Sequence, residues 1–413
     1  MRKTKTQKGI TLVALIITIV VLLVLATVAI SSIKNDGIIS KAQDVANKFN
    51  EAQANEQNML EEYLNYLNPS NGGSTVAYEE VTLAVAISDV MLTRTENSQT
   101  KDIYGNTIKI PAGFKILVDS TTVYTGITDI AVEKGIVITD GTNEFVYVPV
   151  GEIKTATDTK TITLARYEFD ITVDSSTGTI GGTGAITEEG THTSAEAQVR
   201  DPLMSAIASM QNLGDVYFVE GEIEGIDDQN KGYALNISDF YSKASSGYYI
   251  GRYEARTNTT TARAEGDSLT AVTLNKANVV YNYVTQPDAT NACQTMYTNK
   301  PFITDLINSY AWDTAIAFIQ SFEDSEYSLK ATVNTVFSNI GTVGTETEDK
   351  VCNIYDMASN CVELSTETCS LAGFPCTYRG GSYNAAYTYS SCRGFAAATH
   401  SSDYCSFRPI LYL

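Results

Sequence analysis

The chain has 413 residues, of which 43% are hydrophobic and 18% are charged, and its formal net charge is −20. This length leaves room for two or three domains, and the hydrophobic content excludes a chain that is disordered throughout. The acidic balance argues against a nucleic-acid-binding protein, because phosphate contacts need clustered Lys and Arg. The two histidines, His192 and His400, are too few for a histidine-rich metal centre. Tyr (25) far outnumbers Trp (1), which favours an exported protein that binds rather than catalyses.

The first thirty residues have a pattern of their own. Residues 1–8 carry four basic side chains and no acidic one, and residues 10–30 form an uncharged apolar run. About 20 apolar residues are enough to span a bilayer, and this run is longer than the apolar core of a cleaved secretory signal. Basic residues before such a run hold that end in the cytoplasm. A simple N-terminal membrane anchor is therefore one interpretation of this segment.

The junction at residues 8–12, which reads KGITL, supports a more specific interpretation. A short basic leader, a glycine and an unbroken hydrophobic helix resemble the type IV prepilin family, which includes the type II secretion pseudopilins. The resemblance implies that a prepilin peptidase cleaves between Gly9 and Ile10 and that the mature chain joins a filament. The family usually has Glu at the fifth mature position, where this chain has Ala14. A tip or minor pilin, with no subunit beyond it, could do without that Glu.

The pattern that follows predicts a stalk, a linker and a head. Apolar residues recur at spacings of three, four and seven up to residue 67, which indicates an amphipathic helix. Asn68-Pro69 ends this helix, and Ser, Asn and Gly follow it. The predicted layout is a leader at 1–9, a transmembrane or pilin hydrophobic helix at 10–33, an amphipathic stalk helix at 34–67, a linker at 68–76, a small β-rich segment at 77–106 and a head at 107–413.

The texture beyond residue 76 is that of short strands between turns. Runs rich in Val, Ile, Thr, Tyr and Phe predict strands at Val81–Leu92, Thr107–Val118, Gly135–Thr139 and Glu144–Val150. Helices are predicted at Ala195–Leu213, Ala289–Tyr297 and Tyr310–Phe322. Strands and helices do not alternate regularly along the sequence. The predicted fold class is therefore α+β, with a long N-terminal pilin-type helix and a separate head.

Six segments of the head occur in an order that suggests one family. They read FVYVPV at 145–150, GYYIGRYE at 247–254, YAWD at 310–313, NIYDMASN at 353–360, YRGGSY at 378–383 and FRP at 407–409. Together they resemble the formylglycine-generating-enzyme type of C-type lectin fold, across about 107–413. This resemblance implies a C-type lectin fold for the head.

The resemblance does not extend to the activity of that family. The founding enzyme uses two cysteines shortly after its Arg-Gly-Gly-Ser segment, because a thiolate is needed to bind copper. Here the first position falls at Asn384–Ala386, where there is no cysteine, and only Cys392 lies near the second. We therefore expect no enzymatic activity, catalytic residue, metal ligand or cofactor. Structural calcium at Asp227-Asp228 or within Asp170–Thr179 stays open, as do disulfides among the seven cysteines.

The C-terminal tail has an unusual composition. Residues 368–413 contain no Lys, Glu, Gln, Met or Trp. Every residue of 384–405 can be reached from an AAC codon by changes at its adenines. This composition resembles the variable region of the target proteins of diversity-generating retroelements, which place substitutions on one exposed face of a C-type lectin fold. The ligand contacts predicted for this region are Asn384, Ala385, Ala386, Tyr387, Tyr389, Ser390, Ser391, Phe395, Thr399, His400, Ser401, Asp403 and Tyr404.

These observations predict a surface-displayed, ligand-binding adhesin on a pilin-type stalk. Tyr offers a large contact area at low entropic cost, while Ser and Asn offer adaptable hydrogen bonds. The expected partners are a prepilin peptidase, pilus or secretion-system subunits, the membrane and an unknown surface ligand, either protein or glycan. The expected location is the cytoplasmic (inner) membrane for the precursor and then the cell surface or a pilus, with the head outside. A minor pilin or pseudopilin with a structural role in filament assembly is the alternative.

Overall fold

Short strands make up most of the secondary structure, as the β-type runs predict. The computed structural model describes residues 78–174, 179–187, 191–226, 231–276, 278–331, 341–344, 349–384 and 388–413. Within these ranges the strands are β1 Glu79–Glu80, β2 Ser98–Lys101, β3 Thr107–Ile110, β4 Lys115–Ile116, β5 Val137–Thr139, β6 Glu144–Pro149, β7 Gly151–Lys154, β8 Thr159–Ile162, β9 Phe169–Val173, β10 Ile180–Ile186, β11 Phe218–Val219, β12 Gly247–Gly251, β13 Ile303–Leu306, β14 Lys350–Val351, β15 Ile354–Tyr355, β16 Val362–Cys369, β17 Cys376–Arg379, β18 Arg393–Ala396, β19 Cys405–Phe407 and β20 Pro409–Tyr412.

The helices of the described residues are few and short. They are α1 Leu83–Ala86, α2 Pro202–Gln211, α3 Ile237–Lys243, α4 Gln286–Gln294 and α5 Ser309–Phe322, with 3-10 turns at Asp89–Thr93, Ile127–Asp129, Val132–Lys134, Ala244–Ser246 and Tyr327–Leu329. Each α-helix begins at an Asn, Asp or Thr whose side chain accepts a hydrogen bond from the first turn. These caps fix where each helix starts, which the sequence predicts only roughly.

Two sheets form the frame of the described unit, Tyr78–Leu413. The larger has the order β13-β20-β12-β6-β5-β4, and all its pairs are antiparallel. The second has the order β11-β16-β17-β18, and β19 adds to β16 in parallel. Smaller pairings join β1, β2 and β3, β7 to β8, β9 to β10, and β14 to β15. The chain therefore passes from the second sheet to the larger one between β19 and β20.

The residue at that passage is Arg408, which is fully buried. Its guanidinium contacts the Glu363 carboxylate of β16 at 2.5 Å and donates to the carbonyls of Gly251 and Tyr355, each at 2.8 Å. Charge-assisted hydrogen bonds of this kind are short and directional. Arg408 thereby ties β12 and β15 to the second sheet. Three of the six segments that carried the family resemblance meet at this one side chain.

The main hydrophobic core surrounds α5. Every residue from Ser309 to Ile319 is buried, and the single tryptophan, Trp312, is fully enclosed. The same core contains Val146 of β6 and Ile250 of β12, two residues that lie opposite each other in the larger sheet. Burying apolar side chains of this size contributes about 1.5–3 kcal/mol each. The helix and β6 were predicted from their apolar runs, whereas β12 lies in a segment that was used only for the family resemblance.

The structure corrects the predicted fold class. We predicted an α+β protein with a long N-terminal pilin-type helix. The described residues instead form a mixed α and β structure that consists mainly of sheets, and their longest helix has 14 residues. No helix within the described ranges is long and apolar enough to cross a bilayer. The predicted leader, hydrophobic helix, stalk and linker, at 1–76, lie outside the described residues.

One predicted strand is also wrong. Val81–Leu92 contains α1 and most of a 3-10 turn. The Thr82 side chain accepts a hydrogen bond from the Val85 amide, and the Ser88 hydroxyl donates to the Val85 carbonyl at 2.7 Å. Such local hydrogen bonds compete with strand pairing, so they override the β-propensity of the valines and isoleucine.

Candidate binding site

The predicted variable region rests on a buried network of four charges. Arg379 of β17 and Arg393 of β18 are directly paired across the strands, so both side chains point to the same face of the sheet. Both guanidinium groups contact the Asp313 carboxylate of α5, Arg379 at 2.5 Å. Arg393 Nε lies 3.1 Å from Glu367 Oε1, and Arg379 Nη1 lies 3.6 Å from the other oxygen. Two positive and two negative charges balance in this network, which holds the strands on the helix.

A glycine pair lets the chain leave β17 tightly packed. Gly380 has a φ of +83°, in the left-handed region that favours glycine. A Cβ on Gly381 would lie 2.1 Å from the Ala358 carbonyl oxygen, which is far inside contact distance. Both positions therefore need glycine, and the chain turns tightly after β17.

Residues 389–391 of the tail lie in the core. Tyr389 and Ser390 are fully buried and Ser391 is 2% exposed. The Tyr389 hydroxyl donates to Asp201 Oδ2 at 2.8 Å, and the Ser391 hydroxyl donates to the Ser328 carbonyl at 2.9 Å. The Trp312 indole donates to the Ser390 carbonyl at 2.9 Å. These three predicted contacts lie in the core instead of on the surface, because partners from distant segments satisfy their polar groups.

The next stretch, residues 397–404, is a loop between β18 and β19 that reaches the surface. Its backbone is fixed at several points: the Tyr283 amide donates to the Ser402 carbonyl at 2.9 Å, and the Val362 amide donates to the Tyr404 carbonyl at 3.0 Å. Within the loop, the His400 amide donates to the Ala397 carbonyl at 2.9 Å. The loop therefore presents its side chains from a fixed backbone.

Several predicted contact residues do meet at this loop. The Tyr383 hydroxyl donates to Asp403 Oδ2 at 2.8 Å, and Tyr404 Oη lies 3.4 Å from His400 Nε2. Burial lowers the pKa of His400, so its ring is neutral at pH 7. Asn384 and Thr399 are exposed, and the others are half-buried. We call this surface the tail face, and its members are Tyr383, Asn384, Thr399, His400, Ser401, Asp403 and Tyr404.

The remaining predicted contacts lie elsewhere. Phe395, in β18, packs edge-on against Phe374 with ring centroids 5.6 Å apart, and it also lies against the main core. Ala385, Ala386 and Tyr387 lie outside the described residues, as do Gly9 and Ile10 of the predicted cleavage site. The tail region is thus divided between core, surface and a separate aromatic pair.

Two residues that support the tail were missed by the sequence analysis. Asp201 holds both Tyr389 and the Arg393 amide, the latter at 3.0 Å. Its position just before Pro202 is typical of a helix start, which α2 confirms, but nothing local indicates a partner 188 residues away. Tyr283, which anchors Ser402, has a φ of +49° and gave no signal at all.

The structure shows where most of the residues considered for disulfides and for calcium binding lie. All seven cysteines are buried and unpaired by disulfides. Burial raises the pKa of Cys392 well above its ordinary value, which disfavours a thiolate. Asp170 accepts from the Thr183 amide and hydroxyl, and Asp227-Asp228 lie outside the described residues. Across the part of the chain that the structure describes, no group of three or more His, Cys, Asp or Glu side chains is placed to hold a metal ion.

Comparison with known proteins finds only distant structural neighbours. No protein-family model matches the chain, and no curated protein matches it. Among solved structures, the chain is similar to PvdO from Pseudomonas aeruginosa, at 13% identity and a TM-score of 0.28, over 41% of this chain and 82% of that one. It is also similar to the U1 and I1 variants of Major Tropism Determinant, at 13% and 14% identity and a TM-score of 0.25, over 81% of this chain and 98% of each of those. The prepilin and formylglycine-generating-enzyme resemblances rest on the sequence alone.

Proposed function

We propose that this chain is a surface-displayed, ligand-binding protein and that the tail face makes the contacts with its ligand. The observation that carries this proposal is the difference between the buried residues 389–391 and the loop at 397–404. Residues 397–404 display Tyr, His, Asp, Ser and Thr side chains from a loop whose backbone is tied to Tyr283 and Val362. A buried ion network fixes the strands beneath. Binding sites are commonly built as loops positioned by a rigid scaffold.

The chemistry of the tail face suits recognition of a varied partner. Tyr383 and Tyr404 offer amphipathic contact area with few rotatable bonds, and Thr399 and Ser401 offer hydrogen bonds that adapt to different groups. Asp403 and the neutral His400 add an acceptor and a group that can either donate or accept. The surface thus contains both apolar and polar contacts without a large single-sign charge.

We further propose that, among the described residues of 384–405, retroelement-type diversification is confined to the tail face. Replacing Tyr389, Ser390, Ser391 or Arg393 would strand buried hydrogen-bond partners, and each stranded group costs about 1–3 kcal/mol. Replacing Thr399 or His400 leaves the core contacts intact. The residues of both groups can be reached from an AAC codon, so selection on stability would separate them.

Sequencing the 3′ end of the gene across a large source population tests this proposal. We expect substitutions at the codons of Asn384, Thr399, His400, Ser401, Asp403 and Tyr404, and fixed codons for Tyr389, Ser390, Ser391 and Arg393. An invariant tail would refute diversification, and substitutions spread evenly over both groups would refute the division between surface and core.

Binding is tested separately, with the full-length chain displayed on cells and probed against arrays of immobilised glycans and purified surface proteins. The double variant His400→Ala with Tyr404→Ala should lose at least ten-fold in affinity for at least one probe that the unaltered chain binds. Thr161→Ala, at an exposed position on β8 away from the tail face, is the matched control. If no probe binds, and deletion of the gene abolishes a filament instead, the assembly role of a minor pilin replaces this proposal.

For display, we propose export with cleavage between Gly9 and Ile10 by a prepilin peptidase, and association with pilus or secretion-system subunits at the membrane. The support is the basic leader, the glycine and the apolar run that follows. N-terminal sequencing of the chain from cells with and without the peptidase decides this point. A mature N-terminus at Ile10 that depends on the peptidase is expected, and an uncleaved Met1 terminus would leave a simple membrane anchor.

A further inference from the structure

A long exposed loop outside the tail face forms one wall of two adjoining surface pockets. Residues 257–271 connect a stretch near β12 to the region before α4, and most of them are exposed. They line a pocket of about 340 Å³ and contribute to a second one of about 300 Å³. Thr270 lines both pockets, so the two lie side by side, and we call them together the groove. Volumes near 300 Å³ are at the lower end of those that hold small ligands.

Eight of the nine residues that line the first pocket have side chains that can form hydrogen bonds. Five of them carry hydroxyl groups: Thr257, Thr259, Thr261, Ser268 and Thr270. The Thr257 hydroxyl is buried and accepts from the Thr259 amide at 3.4 Å, whereas the exposed Thr259 hydroxyl donates to the Thr261 carbonyl at 2.9 Å and can offer its lone pairs to a ligand. An apolar ligand would leave these groups without partners, which costs free energy on binding.

The pocket also contains one charge of each sign. Arg263, which is 8% exposed, donates from Nη1 to the carbonyls of Asn282 and Tyr283 and from Nη2 to that of Asp267, and its Nε has no hydrogen-bond partner among the described residues. The Asp267 carboxylate also lines the pocket and accepts from the Ala264 amide with Oδ2, at 2.8 Å. Hydroxyl groups suit this pair of charges, because they can donate to the carboxylate and accept from the guanidinium.

The second pocket has a different lining. Asp288, Asn291 and Thr295 contribute polar groups from α4 and its C-terminal end, while Leu269, Val272 and Met296 contribute an apolar surface. Leu269 is 47% exposed, so this apolar surface is open to solvent. A sugar ring has hydroxyl groups around its rim and C–H groups on its faces, and it matches a pocket with both kinds of lining.

We propose that this groove binds a neutral oligosaccharide that lies across Thr270, with its hydroxyl groups on the Thr, Ser, Asp and Arg side chains of the first pocket and a ring face on Leu269. The site is separate from the tail face and does not depend on the function proposed for it. Two hydrogen bonds connect the two sites: the Arg263 guanidinium donates to the Tyr283 carbonyl, and the Tyr283 amide donates to the Ser402 carbonyl.

The test is isothermal titration calorimetry on the full-length chain in a detergent that contains no sugar. The probes are cellotetraose, maltotetraose and chitotetraose, with a tetragalacturonate and a mixed tetrapeptide library as charged and peptidic comparisons. We expect at least one neutral oligosaccharide to bind, and the double variant Thr261→Val with Ser268→Ala to lose at least ten-fold in affinity. Thr161→Val on β8 should bind it unchanged, and Tyr404→Ala on the tail face is measured beside it to separate the two sites.

Each other outcome overturns the proposal. If no neutral oligosaccharide binds, or if only the acidic sugar or the peptides bind, the proposed ligand class is wrong. Equal affinity in the pocket variant, with an unchanged far-ultraviolet circular dichroism spectrum, refutes the site. Loss of binding on Tyr404→Ala but not in the pocket variant would assign the sugar to the tail face instead.

Discussion

Two stretches of the tail, a buried half at residues 388–393 and a more exposed half at 397–404, each contain one Thr, one Tyr and two Ser but lie in different environments. Tyr389 is fully buried, and its hydroxyl binds the Asp201 carboxylate, so its pKa is raised well above the ordinary value, chiefly by burial. Tyr404 is half-buried in the loop, with its hydroxyl 3.4 Å from the His400 ring. The difference comes from what distant segments place beside each tyrosine. A polar, Tyr-rich segment can therefore be a core element over one stretch and a binding surface over the next.

The largest expected effect is in the buried half. Arg393→Met leaves Asp313 and Glu367 with Arg379 as their one cationic partner among the described residues, and an uncompensated buried charge costs about 3–5 kcal/mol. Urea unfolding followed by the fluorescence of Trp312 measures this loss of stability. Arg200→Met, which removes an exposed ion pair to Asp215, is the control and should cost about 1 kcal/mol or less. Equal losses in the two variants would remove the distinction between buried and exposed charges.

The two tyrosines can be compared directly by removing one oxygen atom from each. Tyr389→Phe deprives the buried Asp201 carboxylate of a donor and should cost about 1–3 kcal/mol in unfolding free energy. Tyr404→Phe should change stability by less than about 0.5 kcal/mol, because its surroundings are partly solvated. The same urea titration measures both. A larger loss at Tyr404 than at Tyr389 would invert the comparison.

A smaller effect is expected on how stability depends on pH, through the buried residues next to Tyr383. The Tyr383 amide donates to the Asn360 carbonyl, and in the same turn burial raises the pKa of Asp356 to about 7. A carboxyl whose folded pKa is raised contributes full stability below its ordinary pKa, and that contribution is lost as the pH rises through 7. The thermal midpoint of unfolding should therefore decrease as the pH is raised from 5 to 8.

Asp356→Asn is the matched variant, since Asn also tolerates the φ of +65° at this position and can accept from the Gly344 amide. The variant should show a flatter dependence of the midpoint on pH over the same range. An identical slope in both proteins would mean that another group is responsible for the pH dependence.

The smallest expected effect is on the stability of the exposed half. His400→Ala should change the unfolding free energy by less than about 0.5 kcal/mol, because its ring contacts only Tyr404 among the aromatic side chains described. Differential scanning calorimetry measures this change, and a shift of more than a few degrees would place His400 with the core residues.

The sequence predicts local features of this protein well. The apolar run at Tyr310–Phe322 predicts α5 within one residue, and the β-type run at Glu144–Val150 predicts β6. Gly380-Gly381 predicts a tight turn because glycine alone tolerates that backbone and that close approach. These features depend on neighbours along the chain, which a sequence displays directly.

The contacts that separate core from surface are not local, and this is why the site was predicted only in part. Asp201 and Tyr389 are 188 residues apart, and Asp313 and Arg393 are 80 apart. No pattern within the tail shows that Tyr389 is buried against a carboxylate while Tyr404 lies half-buried in a surface loop. Val81–Leu92 failed for the opposite reason, because side-chain hydrogen bonds within a few residues outweighed its β-propensity.

The position of β20 also affects how this protein reaches its native state. Leu411 pairs with both Tyr249 and Thr304, so the strand at Pro409–Tyr412 fills the gap between β12 and β13. A ribosome makes these four residues after all the other described strands, so on a nascent chain the larger sheet is missing an interior strand until then. Pairings between residues so far apart in sequence form slowly, and an unfilled gap presents unpaired strand edges. Chains that stop just short of residue 409 should therefore aggregate during synthesis instead of folding into a slightly smaller domain.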